Sequence, residues 1–274
     1  MRALILIWMV PAAFALAAAV LWTLHRKGLA SAHWAAAFLV LGLAYGTMQL
    51  TPAAWSSRKP LVEDSLFLIG AALMTEAMAS RASRPANRVA VAAVAVAVAV
   101  AAITGAAYAL AILGSVPVET AVVQGGCALI LLCGVLAMRH RRRPADRVLL
   151  VAFGLLSTLL GAQSLAYAFS ATPRGVAGAW SASAWGFTFM VTGGLIAVLL
   201  TFSVCLALAL DVVDRLSEAA NTDPLTGALN RRGLGESAPA CRWPPMAAPG
   251  PWRSSTSTIS RGSTTLAVTM PATA

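Results

Sequence analysis

Charge is scarce in this chain. Only 11% of its 274 residues are Asp, Glu, Lys or Arg, against 59% apolar, and its mean hydropathy of +0.77 lies above what water-soluble domains reach. That excludes an ordinary cytoplasmic enzyme built on one buried core. Lysine is almost missing: Lys27 and Lys59 are the only two, and both fall between apolar blocks. A retinal-type Schiff base, which needs an amine buried within a helix, is thereby excluded. Of four cysteines, Cys127, Cys133 and Cys205 lie inside apolar blocks and Cys241 lies in a polar tail. None has the paired spacing of a disulfide framework or a cysteine metal site. His25 and His140 flank basic loops and His33 begins an apolar block. No two are matched in depth for haem or metal ligation, and an interfacial role suits each better.

What is present is apolar sequence in long blocks. A spanning helix needs about 20 mostly apolar residues, because every backbone group in hydrocarbon must find its partner inside the helix. Seven segments meet or approach that length: residues 3–24, 29–50, 61–79, 89–113, 120–138, 148–170 and 185–210. The third is the least apolar. It opens with Glu63 and Asp64 and carries Glu76, and a carboxylate at mid-bilayer costs about 2.5–3.5 kcal/mol, so these acids are expected near the interfaces. The fourth contains VAVAAVAVAVAVAA, whose alternation is strand-like on paper. It is too long and too apolar on both faces for a soluble strand, and a helix is expected. The first segment is read as a retained helix, because His25, Arg26 and Lys27 follow it at once and six more spans come after.

Loop charges set the orientation. With the amino terminus outside, the inner loops hold Arg26, Lys27, Arg81, Arg84, Arg88, Arg139, Arg141, Arg142, Arg143 and Arg147. The outer side holds only Arg2, Arg58, Lys59 and Arg174. The positive-inside rule then places the carboxyl end in the cytoplasm after seven crossings of a cell inner membrane. Trp8, Trp22, Trp55 and Trp185 fall near segment ends, as interfacial aromatics do. The net charge of +10 sits mainly between apolar blocks, which fits topology and anionic headgroups, and nucleic acid is not an expected partner.

Inside the blocks, Glu76 is expected to reach toward the basic loop that begins at Arg81. Gln49, Gln124 and Gln163 are expected to join helices by polar contacts, with a small-ligand pocket as the other reading. Gly125, Gly126, Gly193 and Gly194 permit close helix approach without framing a motif.

After Leu210 the composition changes to DVVDRLSEAANTDPLTGALNRRGL. The last span continues as a polar helix with Ala209, Val212, Leu216 and Ala219 at a/d spacing, which permits pairing of two copies and equally a single amphipathic helix. Thr222, Asp223 and Pro224 then predict a new helix start, with Leu225 and Leu229 as an i, i+4 apolar pair.

The stretch TDPLTGALNRRGL resembles the opening of the GGDEF family, the diguanylate cyclases. Asp223, Leu225, Thr226, Gly227, Asn230, Arg231 and Arg232 agree with its D-x-L-T-G-(L/A)-x-N-R-R signature, and the in-frame likeness covers residues 222–234. The resemblance implies that these seven residues are structural and signalling positions at the start of an α/β domain. It also implies a homodimer that joins two GTP into cyclic di-GMP with Mg²⁺. Such chemistry needs carboxylates to hold hard cations and help deprotonate the attacking hydroxyl. Here the chain departs from the family: no Asp or Glu follows Glu236, and the Gly-Gly-Asp/Glu-Glu-Phe loop is missing. The 52 residues after Thr222 are expected to be too few for the family's domain. The expectation is therefore no catalytic residue, no metal site and no cofactor in this chain, with Mg²⁺ and GTP implied only for a complete family member.

Residues 237–274 hold 12 Ser or Thr and 6 Pro among 38, with few aliphatics, a composition expected to stay disordered. A shift of reading frame gives a sharper account. With Ser as TCN and Thr as ACN, and each codon begun at the last base of the one before, positions Ser254 to Thr273 can read VVDLDHFKGINDTRGHDAGD. That is the family's next block in its expected order, so a frameshift is expected between about Leu234 and Arg253.

The fold class expected is thus an all-α polytopic membrane protein with about seven transmembrane helices over residues 1–210. A membrane-exit helix and the first helix of an incomplete α/β GGDEF domain follow over 211–236, then a disordered, out-of-frame tail over 237–274. The function expected is that of a membrane-anchored signalling protein of the diguanylate cyclase type, its bundle sensing an unidentified input and its catalytic part missing. A catalytically silent membrane receptor is the alternative, and a small transporter is disfavoured by the lack of paired intramembrane charges.

Overall fold

A computed structural model describes residues 2–29, 31–49, 59–81, 85–141, 143–169 and 184–222, together with Thr226, Ala228, Leu229, Asn230 and Leu234. These residues form seven long helices. In chain order they are α1 (Arg2–Arg26), α2 (Ala32–Gln49), α3 (Lys59–Ser80), α4 (Pro85–Tyr108), α5 (Val116–Met138), α6 (Pro144–Ala168) and α7 (Ala184–Asn221). The α4 helix widens at its end into a π-helical turn, Ala109–Leu113. Each helix overlies one of the seven apolar blocks. The chain divides into two compact units, residues 1–217 and 218–274.

Helix ends follow local chemistry. At the end of α1, Gly28 takes φ +86°, a conformation open to glycine at little cost, and the amides of Gly28 and Leu29 return to the carbonyls of His25 and Leu24. Ser31 then ties α2 to α1 by donating its hydroxyl to Leu21 O at 2.8 Å. Gly114, also left-handed at φ +58°, closes the π-helical turn. Proline opens α5 and α6 within their first turns, where its missing N–H is no loss, and each first turn also holds an acidic residue, Glu119 in α5 and Asp146 in α6.

Five helical stretches are long and apolar enough to cross a membrane: Trp8–Arg26, Asn87–Leu113, Val116–Met138, Pro144–Ala168 and Val191–Asn221. The Ala32–Met48 stretch is apolar but shorter. The α5 helix is the most enclosed of the five and α4 the least. Val89, Val96 and Val100 of α4, Leu155 of α6 and Phe202 of α7 are all exposed, which is the surface a hydrocarbon solvent would cover.

In the first unit, α5 packs against α3, α4 and α6, and α2 packs between α1 and α3. Phe14, Leu21, Phe38, Leu68, Met74, Met78, Ile130, Leu149 and Phe153 fill the interior. Glycine sets the closest approaches. A methyl on Gly126 would lie 2.7 Å from Ala102 Cβ and 3.1 Å from Leu68 Cδ2, and one on Gly193 would overlap the Tyr45 ring, with its Cζ at 2.7 Å. Gly125 meets Ser164, and Gly194 meets Val10. Hydroxyls rather than glutamines supply most of the polar joints between helices. Thr75 donates to Ile130 O at 2.8 Å, Ser157 to Ala128 O at 2.8 Å and Ser164 to Ala121 O at 2.7 Å. A carbonyl already accepting a helical bond keeps a second lone pair free, so such joints cost the helix nothing.

Of the three glutamines expected to join helices, Gln163 does so, to Thr192 Oγ1 at 3.3 Å. Gln124 does not: it is buried with neither amide atom partnered. The side chain of Gln49 lies outside the described residues. Glu76 pairs with Arg88 of α4, whose Nε donates to Oε1 at 3.0 Å, so it meets the far end of the basic loop rather than Arg81. Asp64 is turned inward and buried.

These contacts predict opposite signs for two glycine replacements. Gly126→Ala should lower the stability of the detergent-solubilised protein by about 1–3 kcal/mol through overpacking. Gly154→Ala, where a methyl meets nothing within 4 Å, should be neutral or stabilising by up to about 1 kcal/mol. Thermal or denaturant unfolding compares the two directly.

Candidate functional site

The most heavily charged junction in the described residues lies where α3 ends. Arg81 is the first residue past α3, its amide still bonded to Met78 O at 3.1 Å. Its guanidinium reaches two other helices. Nε donates to Asp146 Oδ1 at 2.7 Å, in the first turn of α6. Nη1 and Nη2 grip Asp211 of α7 in a bidentate fork at 2.6 and 2.9 Å. Arg141, in the turn before α6, donates in turn to the Arg81 carbonyl. The planar fork of arginine matches a carboxylate on two bonds at once, which lysine could not do.

Burial shapes the energetics. The Asp146 side chain is 3% exposed, and those of Arg81 and Asp211 are 17% and 16% exposed. Burial opposes the charged guanidinium, yet its hydrogen bonds to Asp211 and Asp146 outweigh that and hold the Arg81 pKa above its ordinary value. Replacing such a cluster by apolar groups can be neutral. Removing one member is not, because the charges left behind are buried and unpaired. The arrangement therefore acts as a three-helix clamp that fixes where α7 sits relative to the ends of α3 and α6.

The α7 helix runs on without a break to Asn221, and the signature stretch begins directly after it. In this second unit the described residues reverse direction instead of starting a helix at Thr222. Thr222 and Leu229 form an isolated antiparallel bridge, and Thr226 lies in a turn between them, its hydroxyl accepting from the Ala228 amide at 3.4 Å. Asn230 closes the reversal. Its amide bonds Asn221 O at 2.9 Å and its side-chain Nδ2 donates to Ala220 O at 2.7 Å. The last carbonyls of any α-helix lack intrahelical donors, and Asn230 supplies two of them. Thr222 turns its hydroxyl back to Glu218 O at 2.9 Å, so of the two residues able to cap a new helix, Thr222 and Asp223, the first serves the preceding helix instead. Helical bonding resumes from Leu234 N to Asn230 O at 2.9 Å.

Of the seven signature residues, Thr226 and Asn230 are thus seen in this reversal. Asp223, Leu225, Gly227, Arg231 and Arg232 lie outside the described residues, as does the whole tail, 237–274. Sequence reasoning missed the Arg81 clamp. A signal was available: Arg81, Asp146 and Asp211 each border an apolar block, all on one side by the loop count.

No protein-family model, no curated protein and no solved structure matches this chain.

Three substitutions test these contacts. Arg81→Leu should destabilise the purified protein by about 3–5 kcal/mol by stranding two carboxylates, and Asp211→Asn should cost less because Asp146 still pairs with Arg81. Denaturant unfolding measures both. Asn230→Ala should cost about 1 kcal/mol at the end of α7, seen as faster hydrogen exchange at residues 219–222 and at 234 with the rest of the chain unchanged.

Proposed function

We propose that this chain is the membrane-anchored signalling part of a diguanylate cyclase of the GGDEF type. The observation that carries the reading is continuity: one unbroken helix, α7, leads from an apolar spanning stretch through the Arg81 clamp to the D-x-L-T-G-A-x-N-R-R signature at Asp223 to Arg232. Asp211, held by α3 and α6, and the start of that signature are thus carried by one helix and its direct continuation in the chain.

All seven helices cross the bilayer in this proposal. The α3 helix falls short on composition, yet two of its acids are paired with bases: Lys59 lies 3.6 Å from Glu63 on α3 itself, and Glu76 pairs with Arg88 of α4. A carboxyl group paired in this way no longer faces hydrocarbon alone. The ten-to-four excess of basic residues in alternate loops puts the amino terminus outside and α7's carboxyl end in the cytoplasm of a bacterial inner membrane. Ala209, Val212, Leu216 and Ala219 provide the seam on which two copies would pair.

The absence of any acid after Glu236 favours a second reading for activity, that of a catalytically silent receptor. Both readings agree on the test of this polypeptide: incubated with GTP and Mg²⁺, it should yield no cyclic di-GMP. They part on the gene. Restoring the frame across residues 234–253 should give a protein that makes cyclic di-GMP, and a nucleotide sequence whose other frame is closed by stops would leave the receptor. Cyclic di-GMP from the chain as written would overturn both.

A further inference from the structure

The turn that joins α5 to α6 carries positive charge that the protein does not neutralise. Arg139 caps the end of α5, Arg143 precedes the first residue of α6, and Arg147 lies one turn further on. All three are exposed, and no ion pair among the described residues includes any of them. Asp146, the acid beside them in sequence, is turned inward to Arg81 with its side chain 3% exposed. Asp211 is held by the same guanidinium and Glu76 by Arg88. Arg141 donates to the Arg81 carbonyl. Arg139 donates to His140 Nε2 at 3.0 Å, a contact that adds no negative charge.

These arginines stand at the end of an apolar groove. Within α5 only Leu129, Leu132 and Leu136 are exposed, all in its second half, and at about 3.6 residues per turn they share one face that Arg139 continues. Neighbouring contacts place that face. Ala128 and Gly125 meet Ser157 and Ser164 of α6, while Gly126 and Val122 meet Ala102 and Gly105 of α4. The leucine face lies between these two sets around the helix, so it opens between α4 and α6. The flank of α6 beside it is open too. Arg147, Gly154 and Gly161 recur every seven residues, each glycine three residues before a serine that joins α5, and a methyl on either glycine would meet nothing within 4 Å. Both α5 and α6 are long and apolar enough to cross a membrane, so the arginines stand where the groove leaves hydrocarbon. Apolar length ending in guanidinium groups without counter-charge suits an acyl chain ending in a phosphate, whose oxygens the arginine fork matches. A free phosphate or a nucleic acid would leave the leucines uncovered.

We propose that the groove over α5, between α4 and α6, binds an anionic glycerophospholipid. Arg139, Arg143 and Arg147 hold its phosphate, and one acyl chain lies along Leu136, Leu132 and Leu129. The site rests on the bilayer setting of α5 and α6 and not on the cyclase reading of the cytoplasmic end.

The test uses the full chain in dodecyl maltoside micelles with phosphatidylglycerol, phosphatidylcholine, glycerol 3-phosphate or a short single-stranded oligonucleotide added. Phosphatidylglycerol should raise the thermal unfolding midpoint saturably, and the others should not. Arg143→Gln with Arg147→Gln should weaken that response by about tenfold or more. Arg26→Gln with Lys27→Gln, an equal loss of exposed charge at the end of α1, should leave it intact. No saturable response to phosphatidylglycerol, an equal shift by any of the other three, or equal weakening in the two double variants would overturn the site. Release of the chain from phosphatidylcholine vesicles by alkaline carbonate would instead overturn the bilayer setting, and the groove with it. The choice among additives is read on the unaltered chain, so it decides the matter even if a variant fails to fold.

Discussion

Every feature of this protein answers to one constraint: a polar group turned into its interior has no water to return to. The backbone meets it by closing its bonds within helices. The side chains meet it by finding carbonyls, as Thr75, Ser157 and Ser164 do, or by pairing charges, as Arg81 does with Asp146 and Asp211. Because unanswered groups are costly in such surroundings, each of these contacts also selects one helix arrangement over its neighbours. Specificity in the bundle comes from a few polar joints, and close packing at glycine lets the backbones come near enough to form them.

The helices themselves were legible in the sequence because apolar length is a local property. The block at 61–79 became Lys59–Ser80, and that at 185–210 lies inside Ala184–Asn221. What the sequence hid is relational. Arg81 and Asp211 are 130 residues apart, and nothing in either neighbourhood names the other. Gln124 reads like Gln163 on paper, yet one joins two helices and the other stands alone, a difference set by what the facing helix presents. At Thr222 a cap residue followed by proline signals a helix start correctly in local terms. The Asn230 side chain instead draws the chain back onto the last turn of α7, and a competing cap at the preceding helix's end wins.

The clamp depends on how α3 is seated. Arg81 is one residue past the end of α3, and α3 lies close against α5 at Leu68–Gly126 and Thr75–Ile130. Those two contacts set where α3 ends, and with it where the guanidinium can meet Asp146 and Asp211.

The grip on Asp211 has a mechanical meaning. It falls just past the apolar stretch of α7, where the helix leaves the part that a hydrocarbon core would hold. Each residue of a helix adds about 1.5 Å along its axis, so a slide of α7 by a single residue is comparable to the margin within which the two bonds of the Arg81 fork survive. Axial slack of about an ångström would thus be felt as the loss of a charged contact.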